Sequence, residues 1–388
     1  MTQSATTTRF LHTSDWQLGM TRAFLSNEAS ARFSQARIDA IATLAALAVE
    51  HRAQFMVVAG DVFESNQLSR QTLLRSVDAL AAFPVPVFLL PGNHDPLDGA
   101  SIFSTQSFTE APDNIIVLRN DEPVAVPGVA NTEVVGAPWF SKRPTQDLCA
   151  AMLEALDPTA GVTRIGVCHG QVDTLSPDPG RPEIIGLENT EQAIEQGKIH
   201  YLALGDRHSL TAVGNTGRVH YSGAPVATAF DEVAPNQCLL VDIDGQRSCE
   251  VTALESGHWK FISHEVEMNG NEDLDQFEEW LKQLPGKETR IVKVGFRGTV
   301  NLQTRSRLDT LMEEQASVFA SLTLRQRTTD LTVVPDQLDH SSVSLVGYAK
   351  QSWEVLLEQT QHSDPETAQN AQDAIRLFYR LSTGSQQA

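Results

Sequence analysis

Short, wholly apolar runs alternate with stretches of helical periodicity over the first hundred residues, and that alternation leaves few folds open. Arg9-Phe10-Leu11-His12-Thr13-Ser14 reads as one strand, Phe55-Met56-Val57-Val58-Ala59 as a second, and Val85 to Leu90 as a third. Between them Ile38, Ile41, Ala45, Ala48 and Val49 recur at helical spacing. Ser69 can cap a second helix that turns Leu73, Val77, Leu80 and Ala81 inward. Strand–helix–strand repetition of this kind predicts an α/β fold.

Each run ends on an acid or an amide. The first strand runs into Asp15-Trp16-Gln17, the second ends at Gly60-Asp61, and Pro91-Gly92 turns the third outward at Asn93-His94. Open α/β sheets place their sites at these carboxyl ends. The pattern continues downstream. Ile115 to Leu118 and Val134 to Ala137 read as strands and Asp147 to Leu156 as a helix. Arg164 to Cys168 is a buried strand that exits at His169, beside a Pro- and Gly-rich loop from Asp173 to Arg181. Tyr201 to Gly205 exits at Asp206-Arg207-His208. Cys238 to Ile243 and Cys249 to Ala253 form a hairpin around Asp244-Gly245.

At 388 residues the chain is long enough for two domains, and 41% hydrophobic residues can build a sizeable core. No apolar run reaches membrane-spanning length, and Met1 to Thr8 lacks the apolar centre of a signal peptide. The four cysteines, 149, 168, 238 and 249, share no short paired spacing, so they read as reduced thiols of a cytoplasmic protein. A net charge of -20 argues against gripping nucleic acid by bulk electrostatics. It leaves room for a metal enzyme acting on phosphates, since bound cations reverse the local field, and for a partner that brings basic surface.

The texture changes near Glu255-Ser256-Gly257, which divides the chain into 1–255, an α+β module at 256–342 and a helical tail at 343–388. In the module, Val292, Val294 and Phe296 oppose Lys293 and Arg297, and Leu322 and Leu324 oppose Arg325 and Arg327. That gives a sheet with basic outward positions. In the tail, Asp364-Pro365 starts a helix whose Ala371, Ile375, Phe378 and Leu381 share one face.

Five strand exits thus carry residues of metal-ligand type: Asp15 with Gln17, Asp61, Asn93, His169, and Asp206 with His208. This ordered set resembles the calcineurin-like metallophosphoesterases, whose pattern is D-x-H, G-D, G-N-H-D/E, H, then G-H-x-H. The stretches His12 to Gly19, Gly60-Asp61-Val62-Phe63, Gly92-Asn93-His94-Asp95-Pro96 and Tyr221 to Pro225 resemble the SbcD-type DNA-repair exonucleases within that superfamily. The resemblance implies a four-layer fold of two sheets flanked by helices, a capping domain after residue 256, and two divalent ions at one edge. One ion would take Asp15, Asp61 and His208, with Gln17 in the place of a family histidine. The other would take Asp61, Asn93, His169 and Asp206. His94 would protonate the leaving oxygen or steady the phosphate, and a water bridging the ions would attack. Oxygen and imidazole ligands suit manganese, with magnesium as an alternative and iron or zinc also compatible.

Two departures stand out. Gln17 and Asp206 both stand in the place of family histidines, and Asp206 adds a negative charge, so the net charge of a loaded site falls from about +2 to about +1. A preference for harder ions and a less acidic bridging water are expected. The resemblance implies a manganese-dependent exo- or endonuclease subunit acting on DNA ends. It also implies an SMC-like coiled-coil ATPase partner of SbcC type, with the tail as its docking segment; the chain itself can be a monomer or a homodimer. The competing expectations are a phosphodiesterase for a small nucleotide or other phosphoester, and a weakened or non-catalytic scaffold.

Overall fold

The computed structural model describes residues 7–245, 248–334 and 345–384. It divides into two compact units, Met1–Trp259 and Lys260–Ala388. The first contains twelve strands: β1 (Thr8–Thr13), β2 (Phe55–Val58), β3 (Val87–Leu89), β4 (Ile115–Val117), β5 (Val124–Ala125), β6 (Thr132–Gly136), β7 (Thr163–His169), β8 (Tyr201–Gly205), β9 (Thr211–Val213), β10 (Val219–Tyr221), β11 (Gln237–Ile243) and β12 (Cys249–Glu255). They form two six-stranded sheets, in the orders β12-β11-β1-β2-β3-β4 and β5-β6-β7-β8-β10-β9. β1 to β4 run parallel, as do β6, β7, β8 and β10, while the remaining strands are antiparallel at the edges.

The layers follow from strand alternation. Phe10, Phe55, Val57 and Phe88 point from the first sheet onto Val134, Ile165, Val167 and Ala203 of the second. Their neighbours Leu11, Met56 and Val58 face the other way, onto Ile41, Leu44 and Leu80 of the helices Asn27–Glu50 and Arg70–Ala81. The second sheet likewise turns Val135, Cys168, Leu202 and Leu204 onto Met152 and Ala193 of its own helices. Both sheets are covered on both faces, which is why β2, β3 and β7 read as continuous apolar runs. The result is the helix–sheet–sheet–helix order expected from the sequence. Ser26, Ser69 and Asp147 cap helices by accepting from backbone N–H groups three residues on.

One polar group lies in the middle of this sandwich. His12 is fully buried; its Nε2 donates to the Leu204 carbonyl at 3.2 Å, so its Nδ1 accepts from the Tyr201 hydroxyl at 3.0 Å. Burial, with the neighbouring His220, pushes His12 down to about 3. An unfolded histidine takes its proton near pH 6.5, so between these values the unfolded chain binds the extra proton and folding weakens as pH falls. By pH 5 this group alone should remove about 2 kcal/mol of stability. Urea unfolding at pH 7 and pH 5 should show His12→Gln losing about 2 kcal/mol less than the wild type over that interval. Equal losses would exclude His12 as a source of acid sensitivity.

The second unit holds β13 (Lys260–Glu267), β14 (Arg290–Asn301), β15 (Ser321–Leu324) and β16 (Asp330–Val334). The long β14 pairs in parallel with β13, with β15 along its first half and with β16 along its second. Val292, Val294 and Phe296 pack under Leu274, Phe277, Leu281, Leu308 and Leu311 of the helices Asn271–Gln283 and Leu302–Ala316. Arg297 is exposed and pairs with Glu265 at 3.5 Å, and Arg325 donates to Ser263 Oγ at 2.9 Å. The expected inward Leu324 is instead 43% exposed, because β15 ends there and the core stops at Leu322.

The expected tail helix from Val343 lies partly outside the described residues. Within them, helices span Tyr348–Gln359 and Pro365–Gly384. Trp353 is buried beside the Phe378 and Tyr379 rings, and Ala371 and Ile375 are buried while Leu381 is 66% exposed. Among the described residues no helix is long and apolar enough to cross a membrane.

Candidate metal centre

Parallel pairing brings the carboxyl ends of β1, β2 and β3 together on one sheet, and those of β7 and β8 on the other. The two rims meet at Gly205, where an added Cβ would lie 1.8 Å from the Ala59 carbonyl oxygen. Asp15, Gln17, Asp61 and Asp206 all have left-handed backbones, with φ of 54°, 45°, 51° and 96°. Aspartate tolerates this region better than most residues, and glutamine does not. Each such residue costs on the order of 1 kcal/mol and persists only where its surroundings hold it. Here the two loops are bonded together beyond the strands: Asp15 N donates to Gly60 O at 3.1 Å, Gln17 N to Asp61 O at 2.9 Å and Leu18 N to Val62 O at 2.9 Å. From behind, the buried Arg37 donates to the Trp16 carbonyl at 3.0 Å.

All eight residues singled out in the sequence converge. His169 Nε2 lies 2.7 Å from Asn93 Oδ1, 3.4 Å from Asp61 Oδ1 and 3.9 Å from Asp206 Oδ1. Asp206 N is 3.2 Å from both Asp15 carboxylate oxygens. His208 Nε2 is 3.6 Å from Asp15 Oδ1 and 3.3 Å from Gln17 Nε2. His94 N donates to Asp61 Oδ1 at 3.0 Å, while its Nε2 stands 3.8 Å from Asp61 Oδ2. Ligand atoms of Asp15, Asp61 and His169 fall within 4.8 Å of one another.

The donor set fits cations. His169 Nδ1 donates to the Ala59 carbonyl at 2.9 Å, and His208 Nδ1 faces Thr228 Oγ1 at 2.7 Å and Glu232 Oε1 at 3.3 Å. Both rings therefore turn Nε2 inward, the arrangement in which an outer partner fixes a ligating imidazole. Asn93 Oδ1 also faces Nε2 of His169. Reversing that amide would let its nitrogen donate to His169 Nε2 at 2.7 Å and to the Asp61 carboxylate at 3.2 and 3.3 Å. A positive centre at Nε2, whether a metal ion or a proton, favours the orientation with the oxygen inward. Gln17 Oε1 is buried without a hydrogen-bond partner, on an amide whose nitrogen faces His208 Nε2 at 3.3 Å.

Charge points the same way. Burial pushes the Asp15 carboxyl up; His208 and His169 oppose the rise and Asp61 adds to it. Burial alone would strip His169 of its proton, but Asp61, Asp15 and Asp206 together hold it up to about 9. A divalent ion held there would compete with a proton for this imidazole nitrogen.

Several contributors carried no sequence signal. Thr228 and Glu232 stand behind His208 from a loop 20 and 24 residues on, with no spacing to mark them. Trp139 Nε1 donates to the His169 carbonyl at 2.8 Å. Asp95, part of the motif but given no role, is fully buried and accepts from Gly92 N at 2.7 Å and Phe63 N at 2.9 Å, which ties the Asn93 turn to the Asp61 loop. Burial and then Asp61 push it up to about 7.

The calcineurin-like phosphoesterase family profile matches residues 8–236. The chain is similar to the SbcD component of the nuclease SbcCD of Escherichia coli strain K12, 28% identical over 256 residues that cover 58% of this chain and 62% of that protein. It therefore spans less than two thirds of that relative. The SbcD component of the Rhodobacter capsulatus nuclease SbcCD is 24% identical over 279 residues, covering 61% of this chain and 67% of the relative. Among solved structures, a dimetal phosphatase from Danio rerio is 12% identical with a TM-score of 0.38, covering 64% of this chain and 99% of its own.

Proposed function

The chain belongs to the calcineurin-like phosphoesterase family, and from that premise we propose that it is a metal-dependent phosphodiesterase acting on DNA ends. The observation that carries the reading is the meeting of Asp15, Asp61, Asn93, His169, Asp206 and His208 at one rim, with two inward imidazole nitrogens and an orphaned amide oxygen. Ligand atoms of Asp61 lie within 4.8 Å of those of both Asp15 and His169, which suits it to bridge two ions. Asp15, Asp61, His208 and Gln17 would hold one divalent ion, and Asp61, Asn93, His169 and Asp206 the other, most readily manganese. Two such ions, when bound, supply charge stabilisation at both ends of an in-line displacement and a nucleophile at neutral pH.

The chain's own residues do the rest. Glu232 and Thr228 fix the His208 ring, and the Ala59 carbonyl fixes His169. His94 donates from Nδ1 to the Glu64 carbonyl at 2.9 Å, which orients its Nε2 toward the centre. From there it can hand a proton to a departing alkoxide or hold a phosphoryl oxygen.

We assign DNA as the substrate on the strength of the SbcD-type motifs and relatives. The acidic chain would rely on an SMC-like coiled-coil ATPase for much of its DNA affinity, with residues 343–388 as the docking segment and 256–342 as a capping domain. A cytoplasmic setting suits such a pair.

Manganese-dependent digestion of single-stranded DNA, run beside bis-p-nitrophenyl phosphate with wild type and His94→Ala, tests the reading. On DNA the variant should lose about a hundredfold or more, with metal content unchanged. On the nitrophenyl ester the loss should be smaller, because that leaving group departs without a proton. Turnover of the small ester with none of DNA would overturn the DNA assignment in favour of a small-phosphoester enzyme. Two bound ions with no turnover of either substrate would make the chain a scaffold.

A further inference from the structure

Beside the metal centre, within the first unit, lies a cleft of about 470 Å³ whose wall includes Asp206 and His208. We propose that this cleft is the subsite for the nucleotide next to the scissile phosphate, with Arg22 and Arg207 taking that nucleotide's own phosphate. The proposal rests on the phosphodiesterase reading above and names which substrates that site prefers.

The charge of the cleft carries the argument. In a chain with 49 acidic and 29 basic residues, some arginines, such as Arg9, Arg164 and Arg307, pair with carboxylates, and others, such as Arg37 and Arg325, with neutral acceptors. Arg22 and Arg207 are of the second kind: among the described residues neither forms an ion pair. Arg22 donates to the Thr228 carbonyl at 2.8 Å, and Arg207 Nε donates to Thr211 Oγ1 at 2.9 Å. Each guanidinium is anchored by one nitrogen on a neutral acceptor and keeps donors for an anion, and the guanidinium fork matches phosphate oxygens.

The same wall carries Asp206, Asp231 and Glu232, and none of them forms an ion pair with either arginine among the described residues. Asp206 is assigned above to the metal centre, and Glu232 accepts from Thr228 and faces His208 Nδ1. Leu175, 38% exposed, and Pro177 add an apolar ledge suited to a sugar or base face. Arg207 lines the same cleft as Asp206 and His208, both assigned above to the metal centre, so a phosphate held in that cleft would lie beside the one being cleaved. A simple diester such as bis-p-nitrophenyl phosphate carries no second phosphate for these arginines.

The test compares one dinucleotide bearing no terminal phosphate with the same dinucleotide phosphorylated at its 5′ end or at its 3′ end, with manganese. For each enzyme the reading is the ratio of kcat/KM between phosphorylated and unphosphorylated forms. The wild type should prefer one phosphorylated form by about tenfold or more. Arg207→Gln, at an exposed position, should bring that ratio close to one, and Arg22→Gln should lower it. Arg207→Lys should keep part of it, as a point charge without the fork. A wild-type ratio near one for both ends, or a ratio that survives both glutamine variants, would overturn the subsite. Failure of the wild type to turn over any of these dinucleotides or the nitrophenyl ester would instead overturn the phosphodiesterase reading, and the subsite with it.

Discussion

Asp61→Ala should reduce phosphodiester hydrolysis by about a thousandfold or more and leave the protein unable to retain its ions. Both oxygens of Asp61 face other residues of the centre: Oδ1 accepts from His94 N and faces His169 Nε2, and Oδ2 faces the His94 ring. Asp61 is also the first of the three carboxylates that raise His169 to about 9. Two readouts should therefore move together. Metal analysis should show the wild type loaded and the variant empty. Manganese at a hundred times its dissociation constant should stabilise the wild type by about 2.7 kcal/mol and the variant not at all. A variant that melts normally without metal, ignores manganese and cleaves nothing is the expected outcome. Retained hydrolysis with retained ions would remove Asp61 from the centre.

Gly205→Ala should damage the fold itself. The new methyl would sit 1.8 Å from the Ala59 carbonyl oxygen and 2.8 Å from Ser14 Cβ. The nearest neighbour is main chain of the opposite sheet, so no side-chain rotation can make room. The sheets must part at the rim where the site is built. A loss of about 3 kcal/mol or more is expected. For a unit of this size that is a fall in Tm of roughly 6–12 °C, with metal affinity falling alongside. Gly99→Ala is the matching control, since an added methyl there meets nothing within 4 Å; its Tm should stay within about one degree. Similar melting of the two variants would show that the sheets are not in tight contact at Gly205.

The parts of this molecule that could be read from sequence are those whose cause is local. β2, β3, β7 and β8 are buried on both faces, so each appears as an unbroken apolar run, and the polar residue after each run stands at a carboxyl end. Parallel pairing then brings those ends together. What stayed hidden depends on distant partners. β11 inserts beside β1 from more than 200 residues away, with Leu11 opposite Leu240. β16 pairs with the far half of β14, and its Leu331, Thr332 and Val333 are only partly buried, which gives no clean alternation. Glu232 reaches His208 from a loop without regular spacing, and Arg22 and Arg207 gain meaning only from the cleft they share. Leu324 misled because its strand ends at that residue, beyond the reach of the core its spacing pointed to.

The left-handed main chain at Asp15, Gln17, Asp61 and Asp206 has a consequence for any cation the site would hold. Hydrogen bonds between loops already hold these carboxylates and this amide in their uncommon geometry, so a cation has little shaping left to do. The centre resembles a rigid macrocycle more than a floppy chelator. Chelation and reloading should leave the far-ultraviolet dichroism unchanged, and an ion of unsuitable radius should be rejected by the frame rather than accommodated by it.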